Sequence, residues 1–282
     1  MQILITGANG QLGHALQRIL PREDVIRKDL PDFDLTNSAC KDQIREAHPN
    51  IVFHLGAFTN VDEAERDPDR AHAVNAQGTR HVAEAAKAIK ARLIYVSTDY
   101  VFDGTKTSPY TEQDRPHPVN HYGRSKYDGE QAVLTLCPDG LVVRTSWLFG
   151  HDGNNFVKTI MQLAQERPVL EIVEDQRGCP TYAEDLVHAL YGLALSDLEG
   201  ICHVTNGGNC SWYEFAEAIV HESGAQAAVR PITTVEAGRA AKRPAYSVLS
   251  HDRFAAHFPL LPHWQDALSR FMKRASHPVT PA

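Results

Sequence analysis

Apolar residues fall along this chain in two rhythms, and the alternation between them predicts an architecture. Gln2-Ile-Leu-Ile-Thr6, Ile51-Val-Phe-His-Leu55, Arg92-Leu-Ile-Tyr-Val96 and Leu141-Val-Val-Arg-Thr-Ser146 are short, nearly continuous apolar runs, the signature of strands covered on both faces. Residues 24–29, Asp-Val-Ile-Arg-Lys-Asp, supply a second strand between the first two. Helical spacing fills the intervals at residues 14–20, which Pro21 closes, and at 38–47, 69–89 and 121–136. Strands alternating with helices through residue 146 specify an α/β fold built on a parallel doubly wound sheet. Beyond Trp147 the rhythm breaks. Polar loops at 153–156 and 175–181 are separated by a helix over 156–165, with further helices expected at 183–196 and 212–223. The expected division lies between residues 1–146 and residues 147–282, with some segments of the second part returning to the first. Residues 277–282 are expected to fray.

Composition narrows the function classes. The 282 residues are 43% hydrophobic, enough for a sizeable core, and the formal net charge of -7 opposes a nucleic-acid or anionic-membrane partner. No apolar run approaches membrane-spanning length and no signal-peptide pattern opens the sequence, so a cytoplasmic location is expected. The five cysteines, at 40, 137, 179, 202 and 210, form no Cys-x-x-Cys pair and read as free thiols. None of the 15 histidines has zinc-ligand spacing, and no metal site is expected.

Candidate chemistry begins at Gly7-Ala-Asn-Gly10-Gln-Leu-Gly13, directly after the first strand and before a helix. Glycines there allow positive φ and close approach of a pyrophosphate to the helix N-terminus, the Rossmann arrangement for a dinucleotide. Asp29, at the end of the second strand, stands where a ribose-binding carboxylate belongs, while Arg27 and Lys28 beside it leave NADH against NADPH open. Asp34 is either a helix cap or a neighbour of the adenine. The loop Gly56-Ala-Phe-Thr59-Asn60 can let a ligand approach the backbone, and Ser97-Thr98-Asp99-Tyr100 is delivered at a strand's C-terminal edge, where ligands gather in such sheets. Tyr122 and Lys126 lie one helical turn apart on one face. A phenol with a pKa of about 10 becomes a useful acid when a neighbouring ammonium stabilises its phenolate. Residues 1–146 are thus expected to bind a dinucleotide and residues 147–282 mainly to bind substrate.

Together these residues resemble the extended short-chain dehydrogenase/reductase superfamily and, within it, the dTDP-4-dehydrorhamnose reductase family. The resemblance rests on the glycine triplet, Ser97-Thr-Asp-Tyr-Val-Phe102, Tyr122-x-x-x-Lys126, Trp147, Gly153-Asn-Asn-Phe156, Asp175-Gln-x-Gly-x-Pro-Thr181 and Arg243-Pro-x-x-Ser247, and so covers nearly the whole chain. It implies NADPH or NADH as cofactor and reduction of a dTDP-linked 4-keto-6-deoxy sugar to dTDP-L-rhamnose. Tyr122 is implied as the proton donor, Lys126 as the residue that holds the nicotinamide ribose and acidifies Tyr122, and Thr98 as the partner of the carbonyl oxygen. Gly7, Gly10, Gln11, Leu12, Gly13, Asp29, Asp34, Leu35, Ala57, Phe58 and Thr59 are implied for the dinucleotide. Thr98, Asp99, Trp147, Asn155, Gln176 and Arg243 are implied for the nucleotide sugar, Arg243 through its diphosphate. Some relatives place a metal-binding glutamate early in the first helix, between subunits. Ala15 stands there in this chain, so no metal is expected and a homodimer stays an open expectation. Competing readings are an epimerase or dehydratase of the same superfamily, although Tyr100 replaces the second acid of a dehydratase pair, and a non-catalytic regulatory subunit resembling that of methionine adenosyltransferase.

Overall fold

The computed structural model describes residues 1–276. The expected fraying of residues 277–282 lies outside them. The chain alternates β1 (Ile3–Thr6), α1 (Gln11–Ile19), β2 (Val25–Lys28), α2 (Cys40–Ala47), β3 (Ile51–His54), α3 (Val61–Arg66), α4 (Pro68–His72), α5 (Thr79–Ile89), β4 (Arg92–Thr98), α6 (His121–Leu136) and β5 (Leu141–Thr145). There follow β6 (Leu148–Phe149), α7 (Phe156–Glu166), β7 (Val169–Val173), β8 (Arg177–Gly178), β9 (Thr181–Tyr182), α8 (Ala183–Ala194), β10 (Gly200–His203), β11 (Cys210–Ser211), α9 (Trp212–Ser223), β12 (Ala228–Ile232), α10 (Thr234–Ala237), α11 (Asp252–Ala255) and α12 (Trp264–Ser276).

Six strands form one sheet in the order β10-β5-β4-β3-β1-β2, and every neighbouring pair is parallel. Every residue of β1, β3 and β5 is buried, which is why these strands read as unbroken apolar runs. The period of two then sorts them: Ile3, Ile5, Phe53, Leu141 and Val143 join a core with α1 and α8, whereas Leu4, Val52 and Val142 join the opposite core with α2 and α5. Because β2 and β3 flank β1 on opposite sides, connections leave β1 and β3 towards opposite faces and open a crevice at their C-terminal ends. A third core, built from α7, α9 and α12 around Phe149, Phe215 and Phe271, gathers elements that follow β5.

Several elements depart from expectation, among them the helix expected from residue 14, which begins at Gln11. The helix expected over 69–89 is divided, with α4 ending at His72, Ala73–Gly78 wound as a π-helix, and α5 resuming at Thr79. Asp67 caps α4 by accepting from the Arg70 amide, with Pro68 at the first helical position, and the short α3 ahead of it was not anticipated. The helix expected from residue 38 begins at Cys40. Among the described residues no helix is long and apolar enough to cross a membrane. All five cysteines are buried and unpaired.

Candidate active site

The crevice widens into a cavity of about 710 Å³ that runs from the glycine turn to the strand-end residues of β4 and β5. At one end, Gly7 adopts φ +68°, and a Cβ on Gly13 would stand 2.3 Å from the Gly7 carbonyl oxygen, so the turn closes only with glycine at both positions. Gly10 is the N-cap of α1 and gives it no side-chain cap, and the first turn of that helix carries no acid. Its amides therefore face the cavity unpaired by side chains, a fit for the pyrophosphate of a dinucleotide. The Asp29 carboxylate, on the cavity wall, is fixed by the amides of Asn9 (2.7 Å) and Leu30 (2.8 Å), which leaves its outer lone pairs for ribose hydroxyls. Gln11, Leu12, Ala57 and Thr59 also line the wall.

Three residues implied for the dinucleotide lie off that wall. Asp34 accepts from the amide and hydroxyl of Thr36, both at 2.8 Å, and Leu35 is buried beneath Gly56. Phe58 turns away because its backbone is held on both sides by Asn75: its amide donates to Asn75 Oδ1 (2.8 Å) and its carbonyl accepts from Asn75 Nδ2 (3.0 Å). Asn75 sits in the π-helical turn and was not anticipated. It also donates to Ser125 Oγ (2.9 Å), which donates to the Tyr122 carbonyl (2.8 Å), so a single buried amide ties the 57–59 loop to the helix that carries the tyrosine.

At the other end, α6 begins where Asn120 accepts from the Gly123 amide at 2.7 Å. A Cβ at Gly123 would lie 2.1 Å from the Tyr100 carbonyl, and this close approach sets Tyr122 beside the end of β4. The Tyr122 side chain lies near that of Thr98, and both line the cavity. Lys126, one turn on, is 3% exposed; its Nζ donates to the Val96 carbonyl (2.8 Å) and stands 4.2 Å above the Tyr95 ring.

The electrostatics differ from the sequence expectation. Burial pushes Tyr122 up to about 12, against the opposing effect of the nearby Thr98 hydroxyl, and burial lowers Lys126 to about 7, against the pull of Glu130. Burial is the largest cause of both shifts, and it raises the phenol rather than acidifying it. At neutral pH Tyr122 is kept in its protonated form, the form that can donate. Asp99, 2% exposed, accepts from the Thr98 hydroxyl at 3.0 Å, while its Oδ2 has no hydrogen-bond partner among the described residues, and burial raises it to about 7.

Of the residues implied for the sugar nucleotide, Thr98, Asp99 and Trp147 line the cavity and Asn155, Gln176 and Arg243 do not. Asn155 caps α7 and reaches across to Gln11 Oε1 at 2.7 Å. Gln176 is 4% exposed and donates to Thr234 Oγ1. The Arg243 guanidinium is taken up by Asp62, at 3.1 and 2.9 Å. Trp212, which also lines the cavity, was missed; the Ser211-Trp-Tyr-Glu214 pattern marks a helix start but says nothing of where the indole points.

The family model described as the RmlD substrate binding domain matches residues 1–277. The spore coat polysaccharide biosynthesis protein SpsK of Bacillus subtilis is 41% identical over 98% of this chain and 98% of its own. The dTDP-4-dehydrorhamnose reductase of Aggregatibacter actinomycetemcomitans is 41% identical over 95% of this chain and 97% of its own. The crystal structure of dTDP-4-dehydrorhamnose reductase from Bacillus anthracis in complex with NADP superposes with a TM-score of 0.94 at 43% identity, covering 97% of this chain and all of that one. The extent of these matches places the chain in the RmlD substrate-binding family, that of the dTDP-4-dehydrorhamnose reductases.

Proposed function

We propose that this protein is an NAD(P)H-dependent reductase that converts a dTDP-linked 4-keto-6-deoxy hexose to its 4-hydroxy product, dTDP-L-rhamnose. The observation that carries the reading is the meeting of Tyr122, Thr98 and Lys126 in the same cavity as an uncapped helix N-terminus behind a glycine turn. The turn at residues 7–13, with Asp29, Ala57 and Thr59, would hold the dinucleotide, whose reduced nicotinamide supplies hydride to sugar C4. Tyr122 Oη gives its proton to the oxygen that forms there, and Thr98 Oγ1 holds the same oxygen. Lys126 orients the cofactor's ribose. Residues 1–146 act mainly on the dinucleotide and residues 147–282 mainly on the sugar nucleotide, with α8 and β10 of the second part completing the first layer. A solved relative is in complex with NADP and several relatives are named as reductases of this class, which supports the reading.

The test is NAD(P)H oxidation with dTDP-4-dehydrorhamnose, comparing wild type with Tyr122→Phe. The variant is expected to lose about two orders of magnitude or more in kcat while binding NADPH as before. Equal turnover removes Tyr122 from the chemistry. Absence of NAD(P)H oxidation with any dTDP-4-keto sugar in the wild type returns the regulatory-subunit reading.

A further inference from the structure

Two indoles meet at the cavity wall. Trp147 follows β5 by two residues and has φ +46°, a left-handed conformation that a bulky side chain adopts only when its surroundings impose it. Trp212 is the first residue of α9, and its ring lies on that of Trp147 with centroids 3.5 Å apart and planes 6° from parallel. A gap that narrow admits no third group, so one face of Trp147 is wholly given to Trp212. Elsewhere on the same indole, a Cβ at Gly178 would come within 2.5 Å of Cε2 and Nε1, so the ring rests directly on the glycine backbone.

These two contacts come from one piece of structure. β11 pairs antiparallel with β8, setting Cys210 opposite Gly178 and Ser211 opposite Arg177, so the residue after Ser211 and the glycine bearing on Trp147 are held at fixed spacing. Ser211 and Glu214 close a capping box, at 3.0 and 2.7 Å, which fixes the start of α9 and with it the direction of Trp212. Phe156 packs on Trp212 at 4.5 Å. Trp147 is thus clamped in a strained backbone, and the clamp belongs to elements that follow β5.

We propose that Trp212 is a positioning and specificity-determining residue for the hexose of the nucleotide sugar. By holding Trp147, it keeps an apolar wall at the sugar's place beside Thr98 and Tyr122, and the edge of its own indole extends that wall. A 6-deoxy hexose, with a methyl group in place of a hydroxymethyl and an apolar C–H face, is the ligand such a surface receives. This inference rests on the reductase reading above and adds the residue that sets its sugar preference.

The experiment measures steady-state kinetics of wild type, Trp212→Leu and Trp212→Phe with dTDP-4-dehydrorhamnose and NADPH, alongside circular dichroism. Stacked indoles couple their transitions, and the resulting bisignate band reports the pair independently of activity. Trp212→Leu should lose the band and raise KM for the sugar nucleotide about tenfold. Its kcat should change far less, and KM for NADPH should stay near the wild-type value. Trp212→Phe, which keeps a ring on Trp147, should lose the band but recover most of the sugar affinity. An unchanged sugar KM in the leucine variant, once the band is gone, overturns the proposal. So does a parallel rise in KM for NADPH, because that pattern means a loosened fold rather than a displaced wall. If the wild type itself reduces no dTDP-4-keto sugar, the reductase reading fails first and the proposal falls with it.

Discussion

Lys126 is a cation with a carbonyl and an aromatic ring for company, its ammonium bonded to the Val96 oxygen rather than to a carboxylate. Its folded value of about 7 lies below the ordinary 10.5, so between these values the unfolded chain binds more protons than the folded one. Stability should therefore rise with pH from about 7 towards 10.5, and the cost of the buried ammonium is fully present below about 7. Lys126→Met removes that cost. We expect the variant to be inactive yet to melt above the wild type at pH 6, with the difference shrinking by pH 9, in thermal melts of both proteins. A gain of equal size at the two pH values would mean that better packing, not the charge, was responsible. The same burial that makes Lys126 expensive raises Tyr122, so both members of the pair are pushed towards their neutral forms.

At the scale of elements, what matters is how α6 is held, because Tyr122 and Lys126 move with it. One turn beyond Lys126, Glu130 accepts from Arg144 Nε (2.9 Å) and NH2 (2.7 Å), and both side chains are fully buried. Arg144 belongs to the all-buried β5, so this pair rivets helix to sheet. Glu130→Gln leaves the guanidinium without its carboxylate and should cost about 3–5 kcal/mol in urea unfolding, a loss that Arg144 cannot recover by reaching water. A cost under about 1 kcal/mol would show that the pair is dispensable. The Tyr-x-x-x-Lys spacing made α6 legible, and nearly continuous apolar runs made β1, β3, β4 and β5 legible, since both signals are local. The π-helical turn was not, because Ala-Val-Asn-Ala-Gln-Gly reads as ordinary helix and its distortion answers to the Phe58 backbone 17 residues away. β6, β8, β9 and β11, at two residues each, exist only through their partners. The Trp147–Trp212 stack and the Arg243–Asp62 pair join positions far apart in sequence, beyond anything spacing can report.

On the scale of the whole molecule, several polar interactions bring together segments around the cavity that are far apart in the chain. Arg18 of α1 reaches Asp152 (2.7 Å) and Glu184 (2.8 Å), and Asn155 reaches Gln11. The heaviest fastening is at Asp62, at the start of α3, which accepts from the Ala241 amide (3.1 Å) and from both terminal nitrogens of Arg243. Arg243 chiefly holds the Asp62 carboxyl below its usual range, and Asn120, the cap of α6, donates to the Lys242 carbonyl at 2.8 Å. In the same segment the Ser247 amide donates to the Arg177 carbonyl at 2.8 Å. The resemblance implies Arg243 for the substrate's diphosphate, whereas in the structure its guanidinium is held by Asp62, as a clasp would be. The two roles predict different behaviour of Asp62→Ala. If Arg243 serves the diphosphate, releasing it from its carboxylate leaves the sugar-nucleotide KM unchanged or lower, and only Arg243→Ala raises it. If it is a clasp, both variants unfasten residues 241–247, since a charge-assisted hydrogen bond of this kind is worth about 1.5–3 kcal/mol. Both should then raise that KM together and loosen the backbone at Arg239 and Lys242, whose side chains are already exposed, so that tryptic cleavage between residues 239 and 243 outpaces that in the wild type while the rest of the chain resists. Wild-type cleavage rates in Asp62→Ala would return Arg243 to the substrate.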